Sequence, residues 1–372
     1  MNSKNVIFVS YPDDFRLQEG RSLIESFSNY RVTKIFTQKY LDHSTYGLGP
    51  GKVKEIKEFL TGSRQGEVIV VDEHLGPRQT FNLEQATGLK VVDRERLILD
   101  IFYSRATTSE SKLQIQLAEV KYELPRVREG ANLSTGRERP GKGGGGEYIV
   151  DVKFRDLKRR MGFITAKLSE ARSKRLLYQK QRANNEIPIV ALVGYTSSGK
   201  TTLFNLLTHE NKQISDSLFT TLSTTTRSFY INNQKLLLTD TVGFISRLPT
   251  YMVEAFKSTL EESLNANMIL LLIDVSQSLD EIRVKYSSCW QVLDELKVDR
   301  GKVFVIFTKH DKISAKTGEI AAGLAVPGIR TVSAKTGYGV RMLKKLIQDR
   351  IAVRSPEEIL VSSKAHELIN IE

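Results

Sequence analysis

Eight residues limit what this chain can fold into more than any others. Gly194-Tyr-Thr-Ser-Ser-Gly-Lys-Thr201 fills the spacing G-x-x-x-x-G-K-[ST] completely. It follows an apolar run, Ile189–Val193, and opens a helical stretch, Thr201–Leu207. A strand, loop and helix in that order wrap phosphate oxygens in backbone N–H groups and aim a helix dipole at them. Gly194 and Gly199 let the backbone come close, and Tyr195, Thr196, Ser197 and Ser198 complete the cradle. Lys200 is then placed to reach the β- and γ-phosphates and to stabilise their charge in catalysis, and the Thr201 hydroxyl to hold Mg²⁺. Further apolar runs follow at Leu236–Thr239, Ile269–Ile273, Val303–Phe307 and Arg330–Val332, separated by helical segments. Near-continuous apolar strands belong to a mostly parallel sheet covered on both faces.

The rest of the chain must hold more than this one domain. Its 372 residues suggest two or three domains. Hydrophobic residues at 40% and charged residues at 26% can bury a sizeable core and exclude a fibrous or wholly disordered chain. No apolar run approaches a membrane span, and the first ten residues do not read as a signal peptide. The lone Cys289 excludes an intrachain disulfide and a cysteine metal cluster, and fits a reducing, cytoplasmic setting. The five histidines show no zinc-ligand spacing.

The first hundred residues alternate strand and helix. Val6–Ser10, Val32–Thr37, Val68–Val71 and Lys90–Val92 read as strands, with helices at Phe15–Phe27, Lys52–Leu60 and Leu83–Thr87. That alternation predicts a small parallel α/β domain over 1–104. The turn Gly47-Leu-Gly-Pro-Gly51 reads as a helix entry. Over 105–182 an antiparallel helical hairpin is expected. Leu113, Leu117, Val120 and Leu124 mark one helix ending at Pro125. A Gly-rich loop, Arg126–Glu147, precedes a second helix that begins near Val152. Its seam is Phe154, Leu157, Met161, Ile164, Leu168 and Ala171. Of the net charge of +12, the stretch Lys153–Arg182 carries most, with eleven Lys/Arg against Asp156 and Glu170. Such a surface is either a solvated face or a polyanion-binding one, and RNA is the obvious cytosolic polyanion. The nucleotide-binding domain occupies 187–351, and 352–372 is a short tail.

Three more motifs follow the phosphate loop in order. Asp240-Thr241-Val242-Gly243 comes directly after an apolar strand. There Asp240 serves the Mg²⁺ shell and the Gly243 N–H senses the γ-phosphate. Thr308-Lys309-His310-Asp311 reads as a variant of the guanine-recognition motif Asn-Lys-x-Asp. Asp311 would accept from guanine N1–H and the 2-amino group, donors that adenine lacks. The Lys309 stem can lie along the base. Ser333-Ala334-Lys335, after the next strand, resembles a loop that touches guanine O6. A threonine completing the Mg²⁺ shell must come from Leu218–Arg227, where spacing alone leaves the choice open. Many GTPases place Gln directly after D-x-x-G to orient the attacking water. Here the residue is Phe244, which cannot donate or accept a hydrogen bond, so a slow basal rate is expected.

The chain resembles the HflX family of translation-factor-class GTPases. The resemblance rests on Gly194–Thr201, Leu218-Phe-Thr-Thr-Leu222 through Arg227, Asp240-Thr-Val-Gly-Phe244 with Leu248-Pro249, and Ala255–Glu262. Asn82-Leu-Glu84, Val92-Asp-Arg94, Leu97–Phe102 and Leu124-Pro-Arg126 carry it into the first half. It implies that Phe219, Thr220, Thr221 and Leu222 form the switch element, with Thr221 on Mg²⁺. It implies association with the large (50S) ribosomal subunit and its rRNA, in translation, ribosome rescue or biogenesis. The chain departs from the family at Ser197 and Thr308, where Asn is usual, and in the composition of Arg139–Glu147.

The sequence therefore predicts a cytoplasmic, monomeric GTP phosphohydrolase using Mg²⁺. The alternative is a GTP-gated RNA-binding module whose hydrolysis is incidental. A P-loop ATPase is disfavoured by Asp311 with Ser333–Lys335.

Overall fold

The computed structural model describes residues 3–27, 29–63, 66–135, 145–183, 187–210, 218–219, 224–254, 266–312, 317–326 and 330–352. They form two compact units that do not follow chain order. The first takes in Met1–Leu177 together with Ser215–Ser223 and Leu248–Ser258; the remainder forms the second.

The first unit is built on β1 (Lys4–Ser10), β2 (Tyr30–Thr37), β3 (Val68–Val71) and β4 (Lys90–Asp93), all parallel in the order β2-β1-β3-β4. The two central strands, β1 and β3, bury nearly every side chain, as their unbroken apolar sequences require. Helices α1 (Asp14–Ser26), α2 (Pro50–Ser63), α3 (Pro77–Thr87) and α4 (Arg94–Arg105) follow the strands. Asp13 and Asp93 cap α1 and α4 by accepting from the N–H groups of Arg16 and Arg96. Helix α3 starts at Pro77, six residues earlier than its apolar pattern suggests, because proline suits the first turn. Helix α4 was not assigned from the sequence: its continuous Leu97–Phe102 run shows no amphipathic period, since that stretch is buried almost throughout.

Beneath the strand ends lies a buried ion cluster. The Arg94 guanidinium, 3% exposed, donates to Asp72 and Glu19, each at 2.6 Å. Ser10 Oγ donates to the other Asp72 oxygen at 2.9 Å. Burial on this scale is tolerated because both terminal nitrogens of the guanidinium are paired with carboxylates.

Two long helices come next, α5 (Ser109–Thr135) and α6 (Gly145–Ala183). Both correct the sequence expectation. Helix α5 runs through Pro125 instead of stopping there. Pro125 is exposed, so water can satisfy the carbonyl it frees, and Arg126 ties the next turn to Asp93 at 2.7 Å and to the Leu75 carbonyl. Helix α6 begins at Gly145, inside the glycine run, well before Val152. Its seam matches expectation: Phe154, Leu157, Met161, Leu168 and Ala171 are half-buried and Ile164 is buried. The Arg128 guanidinium at the end of α5 lies 4.4 Å from the Phe154 ring near the start of α6, as a hairpin requires.

Two short stretches from late in the chain complete this unit. The Leu218 N–H donates to Ser26 Oγ at 2.8 Å, and the Phe219 ring meets Phe102 edge-on, centroids 4.6 Å apart. Tyr251 donates to Glu95 at 2.8 Å, and Lys121 pairs with Glu254 at 2.7 Å.

The second unit is a five-stranded sheet in the order β6-β7-β5-β8-β9. The strands are β5 (Ile189–Gly194), β6 (Thr225–Ile231), β7 (Gln234–Asp240), β8 (Met268–Asp274) and β9 (Val303–Thr308). Only β6 is antiparallel. It was not assigned from the sequence, where its first residues fall in the threonine-rich stretch Leu218–Arg227. Strand β6 joins β7 through Asn232 and Asn233, both with positive φ, the turn that matches hairpin twist. The expected strand Arg330–Val332 is a single bridge, Thr331 to Phe307. Helices α7 (Lys200–Thr208), Leu279–Glu295 and Val340–Ala352 accompany the sheet. Leu192, Phe204, Leu238, Leu270, Ile306 and Ile347 belong to its core.

Phe102→Ala removes a ring that is 1% exposed and packed edge-on against Phe219. It should destabilise the first unit by about 3–5 kcal/mol, read as a lower urea midpoint at unchanged slope.

Candidate functional site

Strand β5 ends at Gly194, whose φ of 152° suits glycine alone; a Cβ there would lie 2.5 Å from the Leu272 carbonyl oxygen. The loop Tyr195–Gly199 then turns over the start of α7, with Ser197 and Gly199 also at positive φ. The loop hydroxyls Thr196 Oγ1 and Ser198 Oγ are buried and find no partner among the described residues. Buried hydroxyls without protein partners at the mouth of a helix suit an anionic ligand.

Lys200 is the centre of the site. It is 6% exposed, and its Nζ donates to the Tyr195 carbonyl at 2.7 Å and the Gly194 carbonyl at 3.1 Å. Burial pushes its pKa down to about 8, against the pull of Asp240. Asp240 ends β7 fully buried, with Oδ2 accepting from Thr201 Oγ1 at 3.2 Å. Hard oxygen donors paired in this way fit Mg²⁺. The Thr241 hydroxyl turns away and donates to the Leu192 carbonyl at 2.8 Å. Val242 and Gly243 are buried against the loop.

Thr308–Asp311 and Ser333–Lys335 converge at the same carboxyl ends of the parallel strands, beyond the edge strand β9. Thr308, at the end of β9, donates its hydroxyl to the Ser198 carbonyl at 2.8 Å, with the Ile273 carbonyl at 3.2 Å. That single proton ties the phosphate loop to the following loop. Lys309 has positive φ, and its ammonium pairs with Asp274 at 2.7 Å. Asp274 was not singled out from the sequence. Its signal was the acidic end of an otherwise apolar strand. Asp311 is exposed, and the Ser333 hydroxyl donates to its Oδ1 at 2.6 Å. That bond, helped by Lys335 and Lys312, holds the carboxyl below its usual range, so it is ionised at neutral pH. His310 stacks on Tyr338 at 4.6 Å, and Ala334 packs against the core.

The structure thus brings Gly194–Thr201, Asp240–Gly243, Thr308–Asp311 and Ser333–Lys335 together on one unit. Phe219 lies in the first unit, and Thr220, Thr221 and Leu222 fall outside the described residues.

A parallel sheet carrying a phosphate loop, a D-x-x-G turn and an ionised Asp beyond β9 defines a P-loop GTPase. Comparison with known proteins agrees. Residues 14–103, 105–182 and 189–309 match the families described as GTP-binding GTPase N-terminal, GTP-binding GTPase Middle Region and 50S ribosome-binding GTPase. The chain is 36% identical to GTPase HflX of Thermococcus kodakarensis, over 96% of this chain and 85% of that one. It is 38% identical to GTPase HflX of Methanocaldococcus jannaschii, over 90% and 83%. This chain belongs to the HflX GTPase family, and it binds and hydrolyses GTP. A GTP-binding protein from Sulfolobus solfataricus, solved with GDP, superposes with a TM-score of 0.51 at 26% identity, covering 95% of this chain and all of that one. A second GDP complex, of SsGBP, gives 0.54 at 27% identity, covering 95% and 99%.

A phosphate beside Lys200 favours its charged form. Nucleotide affinity should therefore be complete below pH of about 8 and fall as pH rises through it. Calorimetry with GDP in buffers of different ionisation heat should show proton uptake above that pH and none at pH near 6.

Proposed function

We propose that this GTPase works as a cytoplasmic monomer on the large (50S) ribosomal subunit, docking on rRNA through α6. The observation that carries the reading is the division of that helix. Through residue 174, every Lys and Arg from Lys153 onward is exposed, and only the apolar seam turns inward. Phe163, 60% exposed, sits on the outer surface with Lys167 4.5 Å from its ring. Basic side chains interleaved with an exposed aromatic suit phosphates and bases better than plain solvation does. The match of 189–309 to a family described as 50S ribosome-binding supports the same partner. No helix among the described residues is long and apolar enough to cross a membrane.

At the nucleotide, Lys200 and the N–H groups of Gly194–Thr201 carry the phosphate charge. Thr201, Thr221 and Asp240 would hold Mg²⁺, directly or through water, and the ion would neutralise phosphate charge. The Gly243 N–H reads the γ-phosphate. Asp311 reads guanine, oriented by Ser333, while Ser333–Lys335 flank the base. Phe244 is buried and brings no polar group to a water, so the turnover step draws on a group from elsewhere.

Asp311→Ala should abolish the preference for guanine over adenine nucleotides, weakening GDP by about 10-fold or more. Competition binding against ADP measures it, and unchanged GDP affinity would refute the assignment. Replacing Lys158, Arg159, Arg172 and Arg175 by Gln should reduce co-sedimentation with 50S subunits. It should also flatten its dependence on salt concentration, because fewer counterions are released. Nucleotide affinity should stay unchanged. If co-sedimentation keeps its wild-type strength at every salt concentration, α6 lies outside the interface.

A further inference from the structure

The backbone after Asp240 is fastened to the phosphate loop itself. Phe244 forms a parallel bridge with Tyr195. The Thr196 N–H donates to the Phe244 carbonyl at 2.7 Å, and the Phe244 N–H to the Gly194 carbonyl at 3.0 Å. A third bond secures the next turn: the Ser246 N–H donates to the Tyr195 hydroxyl at 2.7 Å. Tyr195, Phe244 and Ser246 are all at most 5% exposed. The phosphate loop works through its backbone at position 195, so nucleotide binding leaves the Tyr195 side chain without a role.

The consequence falls on Lys200. A Cβ built on Gly243 would sit 2.8 Å from Thr196 Cγ2 and 3.0 Å from Lys200 Nζ. With the bridge closed, the Gly243 backbone lies directly over the ammonium. The two hydrogen bonds from that ammonium to Gly194 and Tyr195 run back into the loop. A γ-phosphate needs contact with both the lysine ammonium and the Gly243 N–H, and so has to occupy the space between them. A diphosphate makes no such demand.

We propose that the Tyr195 hydroxyl is a specificity-determining group that favours GDP over GTP. It anchors Ser246, holds the Val242–Phe244 backbone over Lys200, and must be released for a γ-phosphate to enter. The inference rests on the reading of Gly194–Thr201 and Lys200 as the phosphate cradle. A ligand can shift this equilibrium only by its differential affinity for the open and closed arrangements, so weakening the closed one must favour the triphosphate.

Tyr195→Phe tests it, since the ring stays to fill its buried place while the Ser246 N–H loses its acceptor. Calorimetric titration with GDP and with guanosine 5′-[β,γ-imido]triphosphate gives the affinity ratio. The expected shift is about 3- to 10-fold toward the triphosphate, the scale of one buried hydrogen bond. Hydrogen exchange of the wild-type protein provides a second reading. Amides at Phe244 and Ser246 should exchange more slowly with GDP than with the triphosphate analogue. An unchanged ratio, a parallel weakening of both nucleotides, or equal exchange in the two states would each overturn the proposal. Lys200→Ala separates its failure from that of the underlying reading: if that variant still binds GDP at wild-type strength, the cradle itself is misassigned.

Discussion

A buried ammonium is costly to place, and the second unit is arranged around one. Lys200 leaves water for a site bounded by the loop carbonyls of Gly194 and Tyr195, with the Asp240 carboxylate close enough to oppose its loss of charge. Removing solvent penalises the charged form and strengthens every electrostatic interaction that remains. The same burial that lowers the lysine pKa therefore prepares it to gain from phosphate oxygens. Strand β5 delivers the loop, β7 delivers Asp240, and the pairing of these two strands fixes the distance between them.

The loop after β9 is tied to that same phosphate loop through a single side chain. Thr308 stands where an Asn would be usual, and its hydroxyl goes to the Ser198 carbonyl. The substitution keeps the tie between base-recognition loop and phosphate loop while presenting no amide. Lys309 is likewise committed, to Asp274. Asp311 stays exposed, and the Ser333 hydroxyl donates to its carboxylate and holds it below the usual range.

In the first unit the organising contact is the Arg94 cluster, which joins the carboxyl ends of β1 and β3 to α1 and α4. From those same two helices come Ser26, Phe102 and Glu95, the residues that take hold of Leu218, Phe219 and Tyr251. Leu218, Phe219 and Tyr251 are thus packed as part of the amino-terminal unit.

Much of this was legible in the residues themselves. The order of phosphate loop, D-x-x-G and Thr-Lys-His-Asp fixed the chemistry, because each needs particular atoms at particular spacings that few other uses would produce. The apolar runs of β1, β3, β5 and β8 were plain because strands buried on both faces admit no other composition. The seam of α6 was plain because a heptad repeat survives only where one face is covered. Other features had no local signature. The passage of α5 through Pro125 depends on a distant Arg126–Asp93 pair. The strand β6 hides in a threonine-rich stretch and exists because β7 offers it an edge. The bond from Ser246 to Tyr195, the pairing of Lys309 with Asp274, and the docking of Phe219 on Phe102 each join residues far apart in the chain. Sequence spacing specifies which atoms are available; only the folded chain decides which of them meet, because partners that distant are chosen by packing.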